Sequence, residues 1–159
     1  MRLRSLRPAL IATAALALAG CMGGPVKRVS EPTALIQQIT VRADGRWNVE
    51  LRLQNYSSIP MRFDTVALAL EAAGQPAADV RATPALGIGP ASADVVSVTL
   101  QPSVAAKLAV ADALAMQRGI AYALKGTITA TPEDKSARTF EIDRKGDLSP
   151  APGLPGVLR

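Results

Sequence analysis

The chain has 159 residues, of which 48% are hydrophobic but only 3% aromatic, and it carries 18 Lys and Arg against 13 Asp and Glu. It contains no histidine, which excludes Ser-His-Asp and Cys-His catalysis and every His-ligated metal site. Its one cysteine cannot form a disulfide within the chain, so a folded domain must rest on a core of Val, Ile, Leu and Ala.

A charged and then apolar leader opens the chain. Three arginines lie within the first seven residues, and residues 9–20 follow without a single charge. This is the pattern of a secretory signal, and the apolar run is too short for a permanent membrane-spanning helix. We therefore predict that residues 1–20 are a signal peptide.

The leader ends in Leu18, Ala19 and Gly20, directly before Cys21. These four residues resemble the lipobox of bacterial lipoproteins. The resemblance implies cleavage before Cys21 and lipid on its sulfur and its amine, and two or more acyl chains anchor a protein stably where one does not. Met22, rather than Asp, indicates anchoring at the periplasmic face of the outer membrane, with the inner membrane as the alternative. An ordinary signal followed by a buried cysteine is the competing interpretation.

The segment after the leader has the composition of a linker. Removal of the leader would leave 15 basic against 13 acidic residues, a net charge of +2, which does not predict a nucleic-acid partner. Residues 22–32 hold two glycines, two prolines and charges of both signs, as flexible linkers do. We predict that residues 21–32 form a lipidated flexible tether, with an extended reach of about 35 Å.

Period-2 alternation of apolar and polar residues dominates from residue 33 onward. It is clearest over Trp47–Leu53, where it predicts a strand with one buried face. The Asp-Gly pair at 44–45 predicts a hairpin before this strand. A change of parity at residues 64–65 predicts either a β-bulge or a break between two strands. Trp47 shares the apolar face, so we assign it to the core rather than to a ligand platform.

The second half of the chain alternates in the same way around one helix. The helix is predicted over Val104–Arg118, with Ser103 as N-cap and Gly119 as C-cap. Its face toward the sheet is expected to hold apolar residues at helical spacing, namely Val104, Leu108, Ala111 and Ala115. The other segments are predicted to be a weak strand near Val80, a loop over 84–90, and strands over Val96–Leu100, Ile120–Ala130 and Phe140–Ile142.

About seven short strands with one short helix predict an all-β fold, an antiparallel β-sandwich of the fibronectin-III/immunoglobulin type. The sandwich is expected over residues 33–148. The Pro- and Gly-rich tail, residues 149–159, is expected to be extended or frayed.

The carboxylates and hydroxyls of the sequence do not match a catalytic or metal-binding motif. Glu133–Asp134 lies in a predicted turn without the alternating acids of a Ca²⁺ loop. Glu141 and Asp143 share the polar face of the last predicted strand, next to Arg138 and Arg144, and such a mixture of charges is typical of a solvated strand face rather than of an acid–base pair. Ser103 and Lys107 are spaced i, i+4 at a helix start, where capping explains the serine. We expect no catalytic residues, no metal and no cofactor.

Short motifs in a fixed order give the chain a family resemblance. Over residues 33–150 it resembles the late-embryogenesis-abundant type 2 family, also called the water-stress and hypersensitive-response (WHy) domain, in its bacterial lipoprotein form. Asn55 matches the first Asn of an Asn-Pro-Asn-type loop, from which Tyr56 and Ser57 depart. The other matching residues are Tyr122, Leu124 and Gly126 of a Tyr-x-Leu-x-Gly strand, and Phe140, Ile142, Gly146, Leu148 and Pro150 near the end.

The resemblance implies a fibronectin-III-like sandwich with one helix, without catalytic residues, and a role in tolerance of desiccation or other stress. The predicted partners are the membrane, through the lipid on Cys21, and an envelope protein or lipid. Two alternatives stay open: an envelope-assembly adaptor that docks a protein through a sheet edge or the tail, and a carrier of a lipid or other apolar ligand.

Overall fold

The structure is a computed structural model that describes Gly24 and residues 26–159. The predicted signal peptide, the lipobox residues Leu18, Ala19 and Gly20, and the lipidation site Cys21 lie outside the described residues. Within the part of the chain that is described, no helix has the length and apolarity needed to cross a membrane.

Two antiparallel sheets face each other across the core. The described residues form nine strands and one helix: β1 (Thr33–Val41), β2 (Trp47–Gln54), β3 (Met61–Ala72), β4 (Gln75–Ala82), β5 (Leu86–Ile88), β6 (Ala93–Leu100), α1 (Val104–Ala115), β7 (Ile120–Pro132), β8 (Arg138–Leu148) and β9 (Val157–Leu158). One sheet has the order β6-β2-β1-β9, and the other has the order β4-β3-β7-β8 with β5 beside β3. The predicted all-β sandwich with one helix is therefore confirmed.

The core lies between the inner faces of the two sheets, as the alternation predicts. Trp47, at the start of β2, is only 1% exposed, which confirms its assignment to the core. From the other sheet, Phe63 of β3 and Leu124 and Ile128 of β7 are fully buried. One cluster of buried side chains joins both sheets and reaches α1.

The parity change at residues 64–65 is a β-bulge inside one strand. β3 runs without a break from Met61 to Ala72, and its register against β7 shifts between Phe63 and Thr65. The extra residue turns the alternation over, so that Val66 faces the core as Phe63 does.

Two segments that we expected to be irregular are strands. Within the predicted loop 84–90, Leu86–Ile88 forms β5 and pairs with Met61–Phe63 of β3. The tail is not frayed, because Val157–Leu158 forms β9 against β1 and Leu158 is fully buried. Both expectations were wrong for the same reason: short strands that pair with distant partners leave no periodic signal in the local sequence.

The helix has the predicted start and an earlier end. The hydroxyl of Ser103 accepts a hydrogen bond from the backbone N–H of Ala106 at 3.1 Å, which confirms the N-cap. The helix ends with Met116 as C-cap rather than at Arg118, and Gln117 takes a left-handed conformation with a φ of +51°. Gly119 is therefore not the C-cap.

The predicted inner face of α1 is its outer face. Ala106, Val110 and Ala113 are buried against the sandwich, whereas Val104 and Leu108 are 72% and 67% exposed. Apolar residues occur all around this helix, so its sequence has two apolar faces and the spacing does not tell which of them is buried.

Candidate functional site

The loops of the sandwich lie at two opposite ends. Loop 55–60, loop 89–92 and turn 133–137 meet at one end, which we call the Asn55 end. Glu133 donates its backbone N–H to the carbonyl of Pro60 at 2.9 Å, and Ala91 donates to the carbonyl of Ser57 at 3.1 Å. Helix α1, turn 73–74 and hairpin 42–46 lie at the other end, which we call the helix end.

The buried side chain of Asn55 links the loops of the Asn55 end by hydrogen bonds. Its side chain is fully buried, and its amide nitrogen donates to the carbonyls of Ile59, Ile88 and Gly89 at 2.9, 3.1 and 2.9 Å. Its side-chain oxygen accepts the backbone N–H of Ser57 at 2.8 Å. The first residue of the family loop motif therefore fixes loop geometry, and it has no partner that suggests chemistry.

The segment Val26–Pro32 is docked on loop 55–60, so it is not the free tether that we expected. The hydroxyl of Ser58 accepts the backbone N–H of Arg28 at 2.8 Å and donates to the carbonyl of Val26 at 2.8 Å. The backbone N–H of Ser58 donates to the carbonyl of Arg28 at 3.0 Å.

Further contacts hold the same segment along its length. The backbone N–H of Ser30 donates to the hydroxyl of Ser57, which is fully buried, at 3.0 Å. Val29 packs against the core, and Pro32 is buried. Of the predicted tether 21–32, the structure thus places residues 26–32 on the domain surface.

An ion pair ties the docked segment to turn 133–137. The ammonium group of Lys27 lies 2.9 Å from the carboxylate of Asp134. The hydrogen bond and charge of Asp134 raise the pKa of Lys27 above its usual range. Both side chains are exposed, so the pair defines where the segment lies more than it adds to stability.

Tyr122 and Gly146 form a second motif contact, inside the sandwich. The hydroxyl of Tyr122 accepts the backbone N–H of Ile36 at 3.3 Å and so joins β7 to β1 of the other sheet. Burial raises the pKa of the Tyr122 hydroxyl above its usual value. A Cβ at Gly146 would lie 2.7 Å from that hydroxyl oxygen, so the glycine on β8 makes the room that the tyrosine ring occupies.

Leu124 and Gly126 complete the motif residues of β7. Leu124 is fully buried in the core. Gly126 has a φ of +147°, and a Cβ there would overlap the carbonyl oxygen of Ala67 on β3. Five of the motif residues predicted from the sequence therefore hold strands and loops together at two separate places in the fold: Asn55, Tyr122, Leu124, Gly126 and Gly146.

The described residues do not assemble a catalytic or metal site. They contain no group of three or more Asp, Glu, His or Cys that could hold a metal ion. Asp143 faces Lys125 at 3.8 Å on an exposed strand surface, and Ser103 is engaged as the N-cap. Every buried side-chain nitrogen or oxygen in the described part of the chain has a hydrogen-bond partner.

Exposed apolar side chains mark both ends, and the alternation along the sequence does not predict them. Val26 is 83% exposed and Tyr56 is 47% exposed at the Asn55 end. At the helix end, the outer face of α1 presents Val104 and Leu108, and Met116 follows it. Only the burial of the opposite face of α1 shows which of its apolar residues remain outside.

Comparison with known proteins gives matches to solved structures and to one family model. A solution structure from Arabidopsis thaliana has a TM-score of 0.48 and 12% identity, over 82% of this chain and 87% of that one. A solution structure of a putative late embryogenesis abundant (LEA) protein has a TM-score of 0.46 and 18% identity, over 92% and 84%. A crystal structure of a protein from Archaeoglobus fulgidus has a TM-score of 0.39 and 18% identity, over 78% and 98%.

No curated protein sequence matches the chain. The family model described as late embryogenesis abundant protein (LEA_2) matches residues 50–146, a range that begins in β2 and ends in β8. The chain therefore belongs to the late embryogenesis abundant LEA_2 family.

Proposed function

We propose that this protein is a non-enzymatic lipoprotein, anchored through Cys21 at the periplasmic face of the outer membrane, that protects or binds envelope components under desiccation or other stress. Membership of the LEA_2 family, whose members are generally non-enzymatic, suggests a stress-related function. The match over residues 50–146 is the observation that carries the stress role.

The anchor rests on the sequence. Leu18, Ala19, Gly20 and Cys21 follow a charged and apolar leader, and Cys21 is the one cysteine of the chain. The docked segment is compatible with such an anchor, because it brings the chain out of the domain at the Asn55 end, five residues after Cys21.

Complementation of a deletion strain tests both halves of the proposal. We expect the deletion to lower survival of drying, osmotic shock or freeze–thaw, and we expect the parent gene to restore it. Cys21→Ser should leave the protein unprocessed or soluble in the periplasm and should fail to restore survival. Lys125→Gln, a change on an exposed strand surface, is the matched control that should restore it.

Two results would contradict the proposal separately. Unchanged survival of the deletion strain would remove the stress role. Fractionation of mature Cys21→Ser protein with membranes would remove the lipid anchor.

The outer face of α1 favours an adaptor as the second candidate function. Val104 and Leu108 form an exposed apolar stripe on a helix whose opposite face is already buried, and such patches mark interaction sites more often than isolated apolar residues do. Docking through the tail is less favoured, since β9 holds it on β1.

Photo-crosslinking in cells separates the adaptor from the stress protein. A crosslinker at Leu108 should capture one stoichiometric protein partner if the adaptor is right, while a crosslinker at Lys125 should not. Equal labelling from both positions would count against the adaptor. The lipid carrier is the least favoured candidate, because the inner faces of both sheets contribute to one cluster of buried side chains.

A further inference from the structure

The docked segment Val26–Pro32 changes how far the domain can stand from a lipid on Cys21. If all of residues 22–32 were free, the extended chain would reach about 35 Å. With Val26 held by Ser58, only the five steps from Cys21 to Val26 remain, a reach of at most about 18 Å.

That reach is shorter than the sandwich is long. The longest strand, β7, has 13 residues and spans roughly 40 Å from the Asn55 end to the helix end. The helix end therefore cannot turn to the membrane surface while Val26 stays docked at the opposite end. The remaining orientations bring the Asn55 end, or a side of the sandwich next to it, toward the lipid.

The side chains exposed at the Asn55 end suit a membrane interface. Tyr56, on loop 55–60, is 47% exposed, and Val26 is 83% exposed beside the same loop. Tyrosine prefers the boundary between lipid headgroups and acyl chains, because its ring is apolar and its hydroxyl is polar. A valine next to it adds apolar surface that lipid can cover.

Charge at this end does not select anionic lipid. Lys27 is paired with Asp134, and the basic residues Arg28 and Lys135 are close in sequence to the acidic residues Glu31 and Glu133. A mixed surface of this kind gives little net attraction to a negative headgroup layer. The contact is therefore expected to depend weakly on salt.

From these observations we propose that Val26–Pro32 is an orienting strap, which rests the Asn55 end of the sandwich on the membrane that holds the lipid of Cys21. This inference rests on the lipid anchor proposed above. Tyr56 and Val26 then contact the headgroup region. The apolar outer face of α1 points away from the membrane, where an envelope partner can reach it.

Fluorescence quenching in vesicles tests the orientation. The lipidated protein has no free thiol, so Tyr56→Cys and Leu108→Cys each introduce one site for a fluorophore. Each labelled protein is placed in vesicles of phosphatidylethanolamine and phosphatidylglycerol that contain headgroup-quencher lipid. We expect most of the signal at position 56 to be lost and most of the signal at position 108 to be kept, at low and at high salt.

A pair of matched variants tests the strap itself. Ser58→Ala with Lys27→Gln removes one hydroxyl and one ion-paired lysine that hold the segment. Ser97→Ala with Lys125→Gln removes the same two kinds of group at exposed strand positions, outside the docked segment and outside the loops of the Asn55 end. We expect the first pair to reduce the difference in quenching between the two labelled positions and the second pair to leave it unchanged.

The outcomes distinguish the strap from the anchor. Protein that does not float with the vesicles overturns the anchor and the inference together. Floating protein with equal quenching at both positions overturns the orientation and leaves the anchor intact. An unchanged difference in the Ser58→Ala, Lys27→Gln variant overturns the role of the docked segment.

Discussion

Replacement of Asn55 by Ala should open the loops at the Asn55 end and cost much of the stability of the domain. The buried amide nitrogen of Asn55 donates hydrogen bonds to the carbonyls of Ile59, Ile88 and Gly89, and its side-chain oxygen accepts one from the N–H of Ser57. Alanine supplies none of these partners, and the space that it leaves is too enclosed for water to serve all of them.

The magnitude follows from the burial of the groups that lose a partner. A buried group without a partner costs about 1–3 kcal/mol. The Ile59 and Ile88 contacts are buried, whereas the Gly89 contact is only partly buried, so water can replace part of the loss. We expect a decrease of about 3 kcal/mol in the free energy of unfolding, and a melting temperature lower by on the order of 10 °C.

Trp47 provides the assay, because it is the one tryptophan of the chain and is buried. Urea unfolding of the purified protein in mild detergent is followed by its fluorescence. Asn48→Ala, which changes an asparagine at the start of β2, is the matched control and should lower the free energy of unfolding by less than about 1 kcal/mol. Equal losses for Asn55→Ala and Asn48→Ala would refute the reasoning.

Three further predictions concern the motif residues of β7 and β8. Gly126→Ala forces a Cβ onto a β3 carbonyl and should lower the free energy of unfolding by about 4 kcal/mol or more, or prevent folding. Gly87→Ala, with open space around it, should be tolerated. Similar expression and melting temperatures of the two variants would contradict this prediction. Gly146→Ala should destabilise the parent protein more than it destabilises the Tyr122→Leu variant, and a double-mutant cycle should give a coupling energy of about 1 kcal/mol. If the effects of the two substitutions on stability are additive, the proposed contact between the two residues is wrong. Because burial raises the pKa of Tyr122 above 10.0, the unfolded chain ionises first, so the stability that Tyr122 adds is full below about pH 10 and falls above it. Urea titrations at rising pH should show the advantage of the parent over Tyr122→Phe shrinking above that pH, and a constant advantage would contradict the shift.

Strands that face solvent on one side could be predicted from the sequence. In β2 every second residue enters the core, and this period of two is visible without knowledge of any partner. The change of parity at residues 64–65 was visible for the same reason, although the sequence left open whether it marks a β-bulge or a break between two strands. A local pattern is sufficient where the solvent-facing side of a strand carries polar residues.

The orientation of α1 could not be predicted, because the helix is apolar on both sides. Val104 and Leu108 have the same spacing and hydrophobicity that a buried face would have. The structure buries Ala106 and Val110 instead. Which face of the helix is buried depends on the shape of the sheet surface rather than on the helix sequence.

The docked segment and β9 depend on contacts between distant parts of the chain. The hydroxyl of Ser58 donates to a backbone carbonyl 32 residues earlier in the sequence. β9, at the end of the chain, pairs with β1, the first strand. Gly and Pro in these segments indicate irregular backbone, but they do not indicate where that backbone lies. The motif residue Asn55 was predicted as a site, while two of its three carbonyl partners lie more than 30 residues away.

The mass of the N-terminal peptide of the membrane-extracted protein tests the proposed anchor most directly. We expect the mature chain to begin at Cys21 and this residue to carry a diacylglycerol on sulfur and an acyl chain on its amine. A peptide that begins elsewhere, or that contains Cys21 with a free thiol, would contradict the lipid anchor and with it the orientation of the sandwich on the membrane.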